Sequence, residues 1–83
     1  MEQETMTASM QDAQDHFAHC VQVLGGVTTA SRRLGIDERA IRRFINGERP
    51  VSQGLLDDTA NALRLLIVEA EAAAGRITAT FRS

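Results

Sequence analysis

The stretch that decides the fold is VTTASRRLGIDERAIRRFIN, which occupies residues 27–46. Its first half has a short helical pattern that ends at Gly35. Asp37 can then cap a second helix that runs from about Glu38 to Asn46. On a helical wheel of about 100° per residue, one side of this second helix is apolar. The opposite side carries Arg39, Arg42, Arg43 and Asn46.

Two helices joined by a tight turn can place the second one in the major groove of duplex DNA, if three demands are met. The touching faces must be small and apolar, the turn must permit an unusual backbone, and the outward face must be polar or basic. Gly35 meets the second demand and the Arg-rich face meets the third. The apolar contacts that meet the first are Ala30, Leu34, Ile36, Ile41 and Phe44.

These residues resemble the Cro/lambda-repressor-like helix-turn-helix family of DNA-binding proteins. The matching positions are Ala30, Leu34, Gly35, Ile36, Ile41, Phe44 and the Asn46-Gly47 ending. Ser31 departs from the family's usual Ala, but it is also small. The resemblance covers residues 27–50 closely and the flanking helices loosely. It implies a sequence-specific transcriptional regulator, a repressor that binds a palindromic operator as a dimer.

The resemblance also implies a set of contacts with DNA. Thr28 and Thr29 would contact phosphate, since hydroxyls and free amides at a helix N-terminus suit an anion; they also suit an ordinary helix start. Arg can bind guanine and Glu can accept from cytosine. The residues that would contact base edges are therefore Glu38, Arg39, Arg42 and Arg43. Asn46 and Arg49 would hold the DNA backbone.

The charge distribution favours a polyanionic partner, although the net charge of the chain is −2. Residues 1–20 carry a charge of −4, residues 21–50 carry +3, and residues 51–83 carry −1. Attraction to phosphate depends on the local patch more than on the total. The absence of Trp and Tyr disfavours a stacking platform for single strands, so we expect double-stranded DNA as the partner.

Other classes of function find little support. The chain has no Lys and no catalytic constellation, so we expect no enzymatic activity. His16, His19 and Cys20 lie at helical spacings, but no other His or Cys is present to complete a four-ligand zinc site. We therefore expect no metal and no cofactor, and no small-molecule effector is evident from the sequence. With no long apolar run and no signal-peptide pattern, we expect no membrane partner and a cytoplasmic location.

The rest of the sequence predicts an all-α fold, a compact domain of four to five helices with a short C-terminal β-strand. One helix precedes the motif, from about Ser9 to Leu24, and a long one follows it, from about Ser52 to Ala74. The apolar stripe expected to face the core of the long helix is Leu56, Thr59, Ala60, Leu63, Leu66, Ile67, Ala70 and Ala74. The predicted parts are a flexible tail over 1–8, a helix-turn-helix domain over 9–74 and a strand-like tail over 75–83.

The C-terminal third predicts a symmetric homodimer. The long helix has further apolar residues outside its stripe, and a strand in the tail would pair with its symmetry mate to satisfy its backbone groups. The expected dimer contacts are Leu65, Val68, Ala72, Ile77, Ala79 and Phe81. Two alternatives stay open. Leu65 and Val68 would instead pack under the acidic N-terminal arm, or the whole chain would be a protein-interaction module, antitoxin-like or adaptor, on the same scaffold.

Overall fold

The computed structural model describes residues 9–81, and these contain four α-helices and no strand. The helices are α1 Met10–Leu24, α2 Val27–Leu34, α3 Glu38–Ile45 and α4 Gln53–Thr80. The all-α prediction is confirmed, and the helices follow the predicted order. The tail predicted over residues 1–8 lies outside the described residues. None of the described helices is both long enough and apolar enough to cross a membrane.

Polar side chains fix the starts of the two longer helices. The Ser9 hydroxyl accepts a hydrogen bond from the Asp12 N–H at 3.0 Å, and the Asp12 carboxylate accepts one from the Ser9 N–H at 3.2 Å. This reciprocal capping box satisfies two backbone donors that a helix start leaves free. The Ser52 hydroxyl accepts from the Leu55 N–H at 3.1 Å, as predicted for the start of α4. Asp37 has the extended backbone of an N-cap, but its side chain makes no capping hydrogen bond.

The core forms where the four helices meet. Its buried apolar members are Phe17, Val21, Leu24, Ala30, Ile41 and Ala62. Thr59 is also buried, and its hydroxyl donates to the Leu55 carbonyl at 2.7 Å, so the polar group is satisfied within α4. Cys20 borders this core, and burial raises the pKa of its thiol. The thiol therefore stays protonated and unreactive at neutral pH.

Only the first part of the predicted apolar stripe of α4 packs against the core, and the rest of the stripe is exposed. Leu63 and Leu66 pack against the core, whereas Ile67 is 58% exposed and Ala70 and Ala74 are exposed. The reason is length, because α4 has 28 residues and α1, the longest helix that it contacts, has 15. Met10, an apolar residue at the first position of α1, is likewise 73% exposed.

The predicted strand over residues 75–83 is replaced by helix as far as Thr80. Gly75 does not adopt the positive φ found at Gly25, Gly26, Gly35 and Gly47. A lone strand would leave its backbone groups unpaired, whereas a helix pairs them within the same segment. The N–H of Phe81 accordingly donates to the Ile77 carbonyl at 3.0 Å. A glycine inside a helix costs only about 1 kcal/mol, so Gly75 does not stop α4.

We expect Gly75→Ala to strengthen the outer half of α4. A Cβ added at Gly75 meets no atom within 4 Å, and Ala is favoured over Gly in a helix interior by about 0.5–1 kcal/mol. The far-ultraviolet circular dichroism signal of helix should therefore rise. The matched control is Gly35→Ala, which also meets open space but forces Ala to a φ of 68° and should lose stability. A loss of helix in Gly75→Ala would contradict a continuous α4.

Candidate nucleic-acid interface

The turn between α2 and α3 is held by three backbone and side-chain bonds. Gly35 ends α2 at a φ of 68°, a left-handed conformation that favours glycine, and its N–H donates to the Ser31 carbonyl at 2.9 Å. The Ile36 N–H donates to the same carbonyl at 3.2 Å, and the Ser31 hydroxyl donates to the Ile36 carbonyl. Ser31, expected only to be small, therefore closes the turn with its hydroxyl.

The two sides of α3 have opposite characters. Ile41 is fully buried, and Phe44 is half-buried with its ring edge-on to that of Phe17, at a centroid distance of 5.8 Å. This apolar side anchors α3 to α1. The opposite side presents exposed side chains from consecutive turns, namely Arg39, Arg42, Arg43 and Asn46.

The charges on the exposed side of α3 are not all neutralised. Arg42 Nη2 lies 3.2 Å from Glu38 Oε1, an ion pair across one turn of the helix. Within residues 9–81, Arg39 and Arg43 take part in no ion pair. Two guanidinium groups on this side can thus bind an anion or a base edge without the loss of an ion pair within that part of the chain. Glu38 would have to break its ion pair with Arg42 in order to contact cytosine.

The end of α3 is fixed by Gln14, a residue of α1 that no sequence pattern indicates. The Gln14 amide of α1 donates to the Ile45 carbonyl at 2.9 Å. Gly47, rather than Asn46, adopts the left-handed conformation, with a φ of 79°. A Cβ on Gly47 would lie 2.9 Å from Gln14 Oε1, so this glycine also permits the close approach of α1. Only the fold brings these residues together, because 31 positions separate Gln14 from Ile45.

The remaining residues expected to contact DNA lie at the ends of α2 and α3. The Arg49 guanidinium stacks over the Phe44 ring at 5.2 Å from its centroid, which orients the group while leaving the residue exposed. Thr28 is exposed and Thr29 is half-buried in the first turn of α2. No side chain caps this helix, so the first N–H groups of α2 lack a partner within it.

Five of the expected dimer residues lie on α4 and the sixth, Phe81, is its C-cap, and the six fall on two faces. With about 100° per residue, Ile77 lies about 180° from Val68 around the helix. The first face carries Leu65, Val68, Ala72 and Ala79, and the second carries Ile77 and Phe81. Because the tail is helical, the six residues do not form one continuous surface.

Within the part of the chain that the structure describes, no three His, Cys, Asp or Glu side chains are grouped as metal ligands. Comparison of the chain with protein-family models, with curated proteins and with solved structures gave no significant match.

Proposed function

We propose that this chain is a helix-turn-helix regulator of transcription that binds double-stranded DNA through the exposed side of α3. The observation that carries the proposal is the contrast between the two sides of that helix. Ile41 fixes one side in the core, while Arg39 and Arg43 project from the other without an ion pair among the described residues. Such a helix can enter the major groove with its orientation already set.

The chemistry of the exposed side suits base edges in that groove. A guanidinium can bind O6 and N7 of guanine through two hydrogen bonds, which is the commonest specific contact with DNA. We assign this role to Arg39, Arg42 and Arg43, with Glu38 as the acceptor for cytosine. Phosphate contacts come from Thr28, Thr29, Asn46 and Arg49. The chain would act as a repressor at a palindromic site.

A second candidate is a protein-interaction module, and the exposed apolar residues of α4 favour it. These residues lie on a different element from the Arg-rich side of α3, and that side contains no large apolar residue. Charged residues are depleted in the cores of protein interfaces. The α3 surface therefore supports binding to DNA better than binding to protein, and the α4 surface requires a separate explanation.

Binding to duplex DNA is expected to weaken steeply as salt rises. Each phosphate neutralised by a cationic side chain adds about 0.9 to the slope of log affinity against log salt. A fluorescence-anisotropy titration of a labelled duplex at several salt concentrations gives this slope, which we expect to be about 2 or steeper. Arg49→Ala should reduce the slope by about 1, since it removes one phosphate contact.

Arg76→Ala is the matched control, because it removes the same charge from an exposed position on α4. It should leave the slope unchanged. A slope near zero for the unmodified protein would contradict the proposal. An equal effect of Arg49→Ala and Arg76→Ala would show that the attraction is general and does not depend on the α3 region.

A further inference from the structure

The outer half of α4 is held to another helix by an ion pair between Glu69 and Arg33 of α2, at 2.7 Å, but none of its apolar side chains is buried. From Ile67 to Phe81 every residue is exposed, and Ile67, Ile77 and Phe81 are 58%, 62% and 68% exposed. At about 1.5 Å per residue, this segment extends over about 21 Å. Helices of this length are marginal in water unless an apolar face is packed. The segment therefore has both the length and the composition of a docking surface.

Six apolar residues of α4 and its C-cap, Phe81, form a regular line, which we call the α4 seam. They recur at alternating spacings of three and four, an average of about 3.5 residues that is typical of paired helices. The seam consists of Ala60, Leu63, Ile67, Ala70, Ala74, Ile77 and Phe81. Its first two residues are half-buried beside the core, and the others are exposed. The seam thus extends beyond the domain's own core.

The α4 seam is complementary in size to a reversed copy of itself. We consider two copies of α4 packed antiparallel, with the two-fold axis passing between Val68 and Glu69. Ile67 then lies opposite the partner's Ala70, and Leu63 lies opposite the partner's Ala74. Ile77 lies opposite the partner's Ala60. Three of the four large side chains of the seam therefore meet an alanine, which is the arrangement that allows two helix surfaces to interdigitate. The fourth, Phe81, lies opposite the partner's Leu56 at the outer edge of the contact.

The charges beside the seam favour the same register. Arg64 and Glu71 lie on one flank, seven residues apart and therefore on the same side of α4. In the antiparallel register each Arg64 faces the partner's Glu71, and the two-fold axis produces this pair twice. Within residues 9–81, neither side chain takes part in an ion pair, and Arg64 makes only a 3.3 Å hydrogen bond to Asn61. No ion pair among these residues therefore competes with pairing across the interface.

We propose that a second copy of this chain packs antiparallel on the α4 seam, with reciprocal pairs between Arg64 and the partner's Glu71. The proposal goes beyond DNA binding and does not depend on it, because it concerns a different helix and is tested without DNA. It places Ile77 and Phe81 in the interface. It leaves Leu65, Val68 and Ala72 on the opposite face, outside the contact.

Sedimentation equilibrium without DNA, at protein concentrations from one to a hundred micromolar, tests the choice of face. We expect the unmodified protein to be a dimer, and Ile67→Asp with Ile77→Asp to raise the dimer Kd at least a hundredfold. The matched control is Leu65→Asp with Val68→Asp, at residues that are 54% and 62% exposed. It should leave the Kd unchanged. A monomeric unmodified protein, or dissociation by the control alone, would overturn the proposal. Because all four positions are exposed, circular dichroism should show a folded protein in each case.

A charge exchange tests the register. Arg64→Glu should raise the dimer Kd about tenfold, because two attractive surface pairs become repulsive. Glu71→Arg should have a similar effect. The variant with both changes restores opposite charges across the antiparallel interface, so its Kd should return to within about threefold of the original. A double variant weaker than either single variant would show that the helices pair in another register or direction.

Discussion

Replacing Arg39 and Arg43 together by Ala is expected to abolish specific DNA binding while the domain stays folded. A guanidinium that binds a base edge contributes about 1–3 kcal/mol, so the two changes should cost about 2–6 kcal/mol on the cognate duplex. Both side chains are exposed, and neither takes part in an ion pair among the described residues, so the core is untouched. Titration of the cognate duplex and of an unrelated duplex measures the loss of affinity for each.

The single variants separate base contacts from general attraction. Arg39→Ala and Arg43→Ala should each weaken the cognate complex more than the unrelated one, since a base contact exists only in the former. Arg76→Ala removes the same charge from α4 and should change both complexes little. If all three variants lost the same affinity on both duplexes, α3 would not be the recognition helix.

Phe17→Ala is expected to destabilise the fold more than any other single truncation in α1. The Phe17 side chain is fully buried in the core, and it also packs edge-on against Phe44. Truncation of such a residue costs about 3–5 kcal/mol, through lost apolar burial and the cavity that remains. Small domains have a free energy of unfolding of about 5–15 kcal/mol, so this change would remove much of the stability of the fold. Urea denaturation followed by circular dichroism measures the difference in the free energy of unfolding.

The matched control for this change is Val23→Ala on the same helix. Val23 is 50% exposed, and substitutions at such positions change stability by about 0.5 kcal/mol or less. If Phe17→Ala unfolded at the same urea concentration as the unmodified protein, the position of α1 in the core would be wrong.

The sequence predicted the helices well where local chemistry determines them. Ser9, Gly25 and Ser52 mark helix ends through capping or a left-handed backbone, and these signals are local. The predictions failed where tertiary packing determines the structure. Residues 76–82 alternate polar and apolar side chains, but this run is too short to distinguish a strand from the end of a helix. The extent of the core along α4 was also misjudged, because the exposure of Ala74 depends on how far the shorter helices extend.

The sequence predicted which residues lie on the exposed side of α3. It did not predict the tertiary contacts that hold the candidate site in place. The helical period alone places Arg39, Arg42 and Arg43 on one side of α3. The hydrogen bond from Gln14 to the end of α3 and the stacking of Arg49 on Phe44 depend on tertiary contacts. No spacing along the chain indicates them.

Selection of bound sequences from a pool of random duplexes tests the central claim most directly. The unmodified protein should enrich a recurring short motif that contains guanine, the base that Arg most often contacts. Arg39→Ala and Arg43→Ala should each lose the base preference at one or two positions of that motif and retain it elsewhere. Enrichment of no motif by the unmodified protein, or of an unchanged motif by both variants, would contradict the assignment of α3 as the helix that reads DNA.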